Sequence, residues 1–203
     1  MSSEVDIANL ALSHLGDSAT IASLDPPEGS AQAEHCARFY PMARDALLES
    51  YAWSFASKRL QLAELTSNWP QWDYAYAKPS DVLVLRGIVS PAATDDGVDS
   101  LQPYVIEVDA TDVDVIYTDQ ATAVGLYTRR VVDTAKYPPM FVLTLSWQLA
   151  SMLAGPLIKG DAGAAEAKRC VGMMEYWRTK AMESDANQRK VSREHTPTWM
   201  KNR

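Results

Sequence analysis

The spacing of apolar residues changes twice along this 203-residue chain, and these two changes constrain the fold more than any other feature. Up to Tyr51, apolar residues recur every three or four positions, the repeat of an α-helix with one buried face. From residue 53 to 132 they form short or alternating runs typical of β-strands, and from Met140 the helical repeat returns. The sequence therefore predicts an α+β fold: a helical bundle from both ends of the chain, an inserted antiparallel β region and an extended C-terminal tail.

The predicted boundaries divide the chain into three parts. Residues 1–52 plus 137–186 are expected to form the helical bundle, residues 53–136 the β insertion, and residues 187–203 the tail. Four helices are predicted, at 3–15, 30–51, 140–158 and 162–184, the last one capped by Asp161. The buried stripe of that last helix is expected to end at Ala181. Six strands are predicted, at 53–63, 72–77, 82–88, 104–108, 113–117 and 125–132.

The first predicted strand contains an irregularity. Trp53 and Phe55 lie on one side of an extended chain, whereas Leu60 and Leu62 have the opposite parity. Because side chains alternate between the two faces of a strand, this change of parity predicts a β-bulge near residues 57–59.

Composition indicates a soluble globular protein, with 47% apolar and 22% charged residues. The longest apolar stretch, 140–158, contains several polar residues and is interpreted as a buried helix, so no membrane partner is expected. The first ten residues have neither a basic segment nor a continuous apolar segment, which argues against a signal peptide. Cys36 and Cys170 are expected to be reduced core thiols of a cytosolic protein, with a disulfide between them as the alternative.

Charge is distributed unevenly. From Arg189 to the end there are five Lys or Arg residues and one Glu, a net charge of +4, which leaves −11 for the rest of a chain whose net charge is −7. Between Gly87 and Thr128 there are eight acidic residues and no Lys, Arg or His: Asp95, Asp96, Asp99, Glu107, Asp109, Asp112, Asp114 and Asp119. An acidic body argues against a folded surface that grips nucleic acid.

Motifs for chemistry are weak. The histidines His14, His35 and His195 lack the spacing of a zinc site, and the glycines at 160 and 163 match no phosphate-binding loop. The acidic residues match no calcium-loop spacing, so a solvated acidic surface is favoured over a cation site. Asp112 and Asp114 are expected on one side of a strand, which leaves a carboxylate pair open. We therefore expect no metal, no cofactor and no catalytic residue.

Four fragments stand in order between residues 5 and 185: IANLALSHLGDSATIASLDPPEGSAQA, ARFYPMARDALLESYAWSFASKRLQLAEL, YAYAKPSDVLVLRGI and YTRRVVDTAKYPPMFVLTLSWQLASMLAGPLIKG. Together they resemble the phage tubular head-to-tail adaptor family of short-tailed phages, also called tail tubular protein A. In that family a helix ending in a tyrosine-rich turn meets a Trp-x-Phe-Ala strand. The residues that carry the resemblance here are Trp53, Phe55, Ala56, Arg59, Pro79, Asp81, Pro138 and Pro139.

The resemblance implies a structural virion protein and not an enzyme. It implies a homo-oligomeric ring of about twelve copies, assembled in the host cytoplasm and located at the head-to-tail junction of the virion. The implied partners are the portal protein, the tail nozzle protein and genomic DNA, which passes through the lumen without specific binding during ejection. In that setting the eight acidic residues are expected to form a DNA-channel face, because like charges keep the duplex from sticking.

The basic tail is predicted to be a portal-docking arm. An apolar pair near its end can anchor in a partner, and the basic residues can steer it there. The residues assigned to this role are Arg189, Lys190, Arg193, Trp199, Met200, Lys201 and Arg203. The alternatives are a connector protein of a long-tailed phage, a virion-associated hydrolase that uses the acidic cluster, and an assembly factor that is absent from mature particles.

Overall fold

The computed structural model describes residues 2–66, 69–93 and 100–188, and their fold is mixed α+β. Within these residues there are four α-helices: α1 Glu4–His14, α2 Ala31–Glu49, α3 Pro139–Ile158 and α4 Gly160–Ala186. Seven strands lie between the two helix pairs: β1 Ser57–Gln61, β2 Glu64–Leu65, β3 Tyr74–Ala77, β4 Val82–Val89, β5 Tyr104–Val108, β6 Asp114–Thr118 and β7 Val124–Arg129. The predicted α+β class is confirmed.

Serine side chains begin the first two helices. Ser3 accepts a hydrogen bond from the backbone N–H of Asp6, whose carboxylate accepts in return from the backbone N–H of Ser3. Ser30 accepts from the N–H of Ala33 at the start of α2. The helix predicted at 162–184 is found as α4, but its predicted cap was wrong: Asp161 lies in the first turn, and the capping residue is Lys159, which makes no side-chain cap bond.

Helix α3 is the central element of the helical region and contacts α1, α2 and α4. Its length and composition would suit a membrane span, but half of this apolar helix is buried inside the protein. Core helices of soluble proteins share the same composition. Its Leu145, Leu149 and Leu153 are fully buried in one apolar cluster with residues of the other three helices. The stretch predicted as a buried helix therefore packs against the rest of the helical region.

The strands form two antiparallel sheets with the orders β1-β7-β4 and β2-β3-β6-β5. A cluster that includes Leu62, Tyr76, Ile116 and Tyr127 draws residues from both sheets, so the sheets pack against each other. β1 pairs with β7 without a register shift, which makes the predicted bulge near residues 57–59 wrong. Residues 54–56 instead form a 3-10 turn, and that turn changes the parity. The register shifts lie in β4.

Candidate functional site

Two distant fragments of the adaptor-like signature meet at the boundary between the helical and β regions. The ring of Phe55 lies 5.9 Å from that of Tyr137 and 4.9 Å from that of Phe141, in edge contacts. Trp53 also meets Phe141 edge-on at 5.3 Å, and its indole N–H donates to the carbonyl of Leu47 at 2.9 Å. The two ends of the β region are thus joined by one aromatic cluster. Ala56 is buried beside it, Pro138 caps α3, and Pro139 begins that helix.

Asp81, another signature residue, lies just before β4 and contacts two neighbouring strands. Its carboxylate accepts a hydrogen bond from Lys58 Nζ on β1 at 2.9 Å and one from the hydroxyl of Tyr127 on β7 at 3.0 Å. Burial opposes ionisation of Asp81, but these two hydrogen bonds outweigh it and lower its pKa. Pro79 accepts a turn hydrogen bond from the N–H of Val82, and Arg59 is exposed on β1. The contacts of Asp81 and Pro79 therefore stabilise the start of β4 against its neighbouring strands.

Polar contacts connect the β region to α2. Asp45 on α2 pairs with Arg130, just after β7, at 2.9 Å, and with its buried neighbour Arg44 at 2.8 Å. Arg86 on β4 donates to the backbone carbonyl of Glu49 at 3.1 Å, at the end of α2. The contacts of Arg130 and Arg86 thus fix the β1-β7-β4 sheet against α2.

The five predicted channel residues that the structure describes lie on one β-hairpin, four of them toward its turn and Asp119 at its open end. Here the acidic hairpin means β5, β6, the turn between them and Asp119, that is, residues 104–119. Glu107, Asp112, Asp114 and Asp119 are exposed, and Asp109 is half-buried. The other three acidic residues, Asp95, Asp96 and Asp99, lie outside the described residues, as does every residue assigned to the portal-docking arm.

Asp109 organises the turn of the acidic hairpin. Its carboxylate accepts from the hydroxyl and the N–H of Thr111, at 2.7 and 2.8 Å, and from the N–H of Val113 at 3.1 Å. The hydroxyl bond from Thr111, followed by the two N–H bonds, lowers the pKa of Asp109. Asp112 follows in the left-handed backbone region, with a φ of 63°. The prediction that Asp112 shares one side of a strand with Asp114 was therefore wrong, because Asp112 lies in the turn.

Two further acids of the hairpin have structural partners. Asp114, the first residue of β6, pairs with Lys78 Nζ at 2.7 Å. Asp119 accepts from the N–H of Asp73 at 3.2 Å. Lys78 lies outside the stretch that carries no basic residue, and sequence inspection missed this pairing. Glu107 and Asp112 are both exposed, and they are the clearest solvent-facing acidic groups of the hairpin.

A buried carboxylate that the sequence analysis missed closes the end of α4. Asp185 is buried, and its two carboxylate oxygens lie 3.0 and 3.2 Å from the backbone nitrogen of Ser54, which donates to them. The hydroxyl of Ser54 donates to the same carboxylate at 2.5 Å. A small pocket lies beside it and is lined in part by Trp53 and Phe141. Because the carboxylate of Asp185 is engaged by both polar groups of Ser54, we assign Asp185 a structural role.

A polar cluster joins α1 to α3 and α4. The imidazole of His14 stacks on Trp147 at 3.6 Å, and its Nε2 lies 3.0 Å from Ser146 Oγ. The guanidinium carbon of Arg169 lies 5.3 Å from the ring centre of Trp147. Arg169 also donates to the backbone carbonyl of His14 and pairs with Glu166. Burial, followed by the charge of Arg169, lowers the pKa of His14 to about 4, so this imidazole is neutral at pH 7.

Cys36 and Cys170 are both buried free thiols, as predicted. Burial is the main cause that raises the pKa of each to about 11, so neither forms a reactive thiolate at neutral pH. Within the ranges that the structure describes, no group of three or more His, Cys, Asp or Glu residues is placed to hold a metal ion.

No protein-family model matches the chain, and no curated protein matches it. The resemblance of the four fragments to head-to-tail adaptors therefore stays a prediction from the sequence.

Proposed function

We propose that this chain is a structural subunit of a phage particle, and that copies of it form the adaptor ring between the portal and the tail nozzle. In this proposal the helices from both ends of the chain act together as one bundle and form the frame of the ring. The β region presents the acidic hairpin to the DNA channel, and the C-terminal segment docks on the portal.

The observation that carries the proposal is the acidic hairpin. Glu107, Asp112 and Asp119 are exposed, Asp114 is exposed but paired with Lys78, and residues 100–128 contain no Lys, Arg or His. Double-stranded DNA carries about one negative charge per 1.7 Å of its axis, so an acidic wall repels a passing duplex. That property suits a conduit, whereas a protein that holds DNA presents basic residues.

The construction of the hairpin supports the same role. The hydrogen bonds to Asp109 fix the turn, and Lys78 anchors the beginning of β6 through Asp114. The sheet of the hairpin packs against the β1-β7-β4 sheet, which is in turn connected to α2 through Arg130 and Arg86. A charged surface on a fixed support can keep its position while a polymer moves past it.

The composition of the C-terminal segment supports a docking arm. Residues 189–203 combine a net charge of +4 with the apolar pair Trp199 and Met200. A buried tryptophan is a common anchor of protein interfaces, and a basic segment is steered toward an acidic partner. Pro197 stiffens the approach and so reduces the ordering cost on binding.

The direct test is reconstitution with the portal protein of the same phage. We expect purified full-length chain to join portal rings, with about one copy per portal subunit and a closed ring visible by cryo-electron microscopy. Portal rings that are recovered without the chain would contradict the proposal. A hydrolytic activity of the chain that is lost in Asp112→Asn/Asp114→Asn would instead support the virion-associated hydrolase.

The channel assignment has its own test. Glu107→Lys with Asp112→Asn changes the charge of the hairpin while keeping Asp109, whose carboxylate holds the turn. We expect rings to form and genome release to be slower, because DNA then adheres to the wall. The matched control is Glu34→Lys with Asp161→Asn, the same charge change at exposed positions of α2 and α4. Equal rates of genome release in the two variants would contradict the assignment of the hairpin to the channel.

A further inference from the structure

Within the described part of the chain, the acidic hairpin ends in an edge strand, β5, with exposed apolar side chains. β5 pairs with β6 on one side, and among the described residues no strand pairs with its other side. Ile106, Val108 and Val113 are 39%, 59% and 47% exposed. Unpaired backbone groups next to apolar side chains favour the addition of another extended segment.

The chemistry of this edge defines what can cover it. Glu107 lies between Ile106 and Val108 on β5, and Asp112 precedes Val113 in the turn. A segment that fits must bring basic side chains for the carboxylates and at least one large apolar side chain for the exposed valines. An acidic or purely polar segment is disfavoured by charge repulsion and by the apolar groups left in water.

The chain itself carries a segment of this composition. Residues 189–203 contain five Lys or Arg residues, one Glu and the adjacent Trp199 and Met200. The residues from 189 to Met200 follow Gln188 at the end of the described structure and span about 40 Å when extended. Helix α4 ends beside Ser54, just before β1, so the segment begins next to the β region and its apolar pair can extend along that region to the hairpin of its own chain.

We propose that, before assembly, the C-terminal segment of the chain docks on the β5 edge of its own acidic hairpin. The basic residues then neutralise the exposed carboxylates, and Trp199 with Met200 covers the exposed valines. The biological consequence rests on the proposed function: binding to the portal draws the segment away, and the acidic face is uncovered only in the finished ring. The contact itself is a property of the isolated chain and is tested without any phage component.

The experiment uses full-length Ser192→Cys carrying a nitroxide on the introduced thiol. Cys36 and Cys170 are buried, so labelling is directed to the new site. At about 50 mM salt we expect the amide NMR signals of residues 104–119 to lose about half their intensity or more, with recovery at about 1 M salt. Glu107→Lys with Asp112→Asn should restore the signals, and the uncharged pair Glu107→Gln with Asp112→Asn should restore them in part.

The control pair Glu34→Lys with Asp161→Asn should leave the signal loss unchanged. Full hairpin intensity at low salt would overturn the inference, and so would a loss that persists in both hairpin variants. Mixing nitroxide-labelled chains with isotope-labelled chains that lack the nitroxide separates the two remaining cases. A loss of similar size in that mixture would assign the contact to a second copy and overturn docking within one chain.

Discussion

The helical region and the β region are stabilised in different ways. The helical region has one apolar cluster that draws on all four helices and includes fully buried Leu48, Leu145 and Leu149. The β region has two smaller clusters and relies on tyrosine hydroxyls. Tyr76 donates to the carbonyl of Gln120 at 2.8 Å, and Tyr104 donates to that of Leu85 at 3.0 Å. The helical region is thus packed around one large apolar cluster, whereas tyrosine hydroxyl bonds position loops and edges in the β region.

This difference suits the proposed division of roles. A continuous apolar core resists deformation because its side chains are closely packed, so that moving one helix disturbs the contacts of many residues. A thin pair of sheets held by specific hydrogen bonds can present the acidic hairpin without a large core of its own. Substitutions in the helical core should therefore lower the stability of the whole chain, whereas changes on the hairpin should mainly affect function.

The largest expected effect comes from Trp53→Ala, at the junction of the two regions. Trp53 is 1% exposed, contacts Phe141 and donates to Leu47. Its truncation should lower the free energy of unfolding in urea by about 3–5 kcal/mol. Trp69→Ala is the control, because Trp69 is 51% exposed, and should cost under about 1 kcal/mol. Equal costs would show that the junction is not part of the main core.

Asp185→Ala should have the next largest effect. The substitution leaves the N–H of Ser54 without its carboxylate acceptor and should cost about 2–3 kcal/mol. Ser54→Ala removes the hydroxyl bond alone and keeps the N–H bond, so it should cost about 1 kcal/mol. Urea denaturation of both variants gives the comparison. An Asp185→Ala variant as stable as the parent would exclude a clamp between α4 and the 3-10 turn.

Tyr76→Phe tests the hydroxyl bonds of the β region. The hydroxyl of Tyr76 donates to Gln120 and accepts from the N–H of Ala123 at 3.3 Å, so its loss should cost about 1–2 kcal/mol. Hydrogen exchange should accelerate first in residues 119–124. Tyr74→Phe removes a hydroxyl from a half-buried neighbour and should stay within about 0.5 kcal/mol of the parent. Similar values for the two variants would contradict the contribution that we assign to the hydroxyl bonds of the β region.

Two glycines of α4 provide the smallest and most sharply controlled test. A Cβ at Gly163 would lie 3.0 Å from the carbonyl oxygen of Ala154, whereas a Cβ at Gly172 meets nothing within 4 Å. Gly172→Ala should therefore stabilise the helix by about 0.5–1 kcal/mol. Gly163→Ala should be less stable than Gly172→Ala by about 1–2 kcal/mol, because α3 and α4 must move apart. Thermal unfolding measures both, and equal gains would contradict close packing of the two helices.

The order and type of the longer elements were predictable from the sequence because local periodicity determines them, whereas the two-residue strand β2 was not predicted. The strand expected at 104–108 coincides with β5, and the helix expected at 30–51 is found at Ala31–Glu49. The missed 3-10 turn at Ser54–Ala56 has the same apolar pattern as an irregular strand, and periodicity alone does not separate the two.

The candidate site was less predictable because it depends on contacts between distant residues. The pairs Lys58–Asp81 and Asp45–Arg130 join separate elements, and no local pattern indicates such partners. Asp185 did leave a signal: it stands four positions after Ala181 on the buried stripe of α4, but the predicted helix ended at residue 184. The composition of the acidic hairpin was visible, whereas the role of Asp109 in the turn required the structure.

The proposed function is tested most directly by a reconstruction of the mature particle at side-chain resolution. We expect a closed ring of this chain between portal and nozzle, with the helical region as its frame and Glu107 and Asp112 directed toward the DNA channel. A particle that lacks the chain, or a ring with the acidic hairpin on its outer rim, would contradict that assignment.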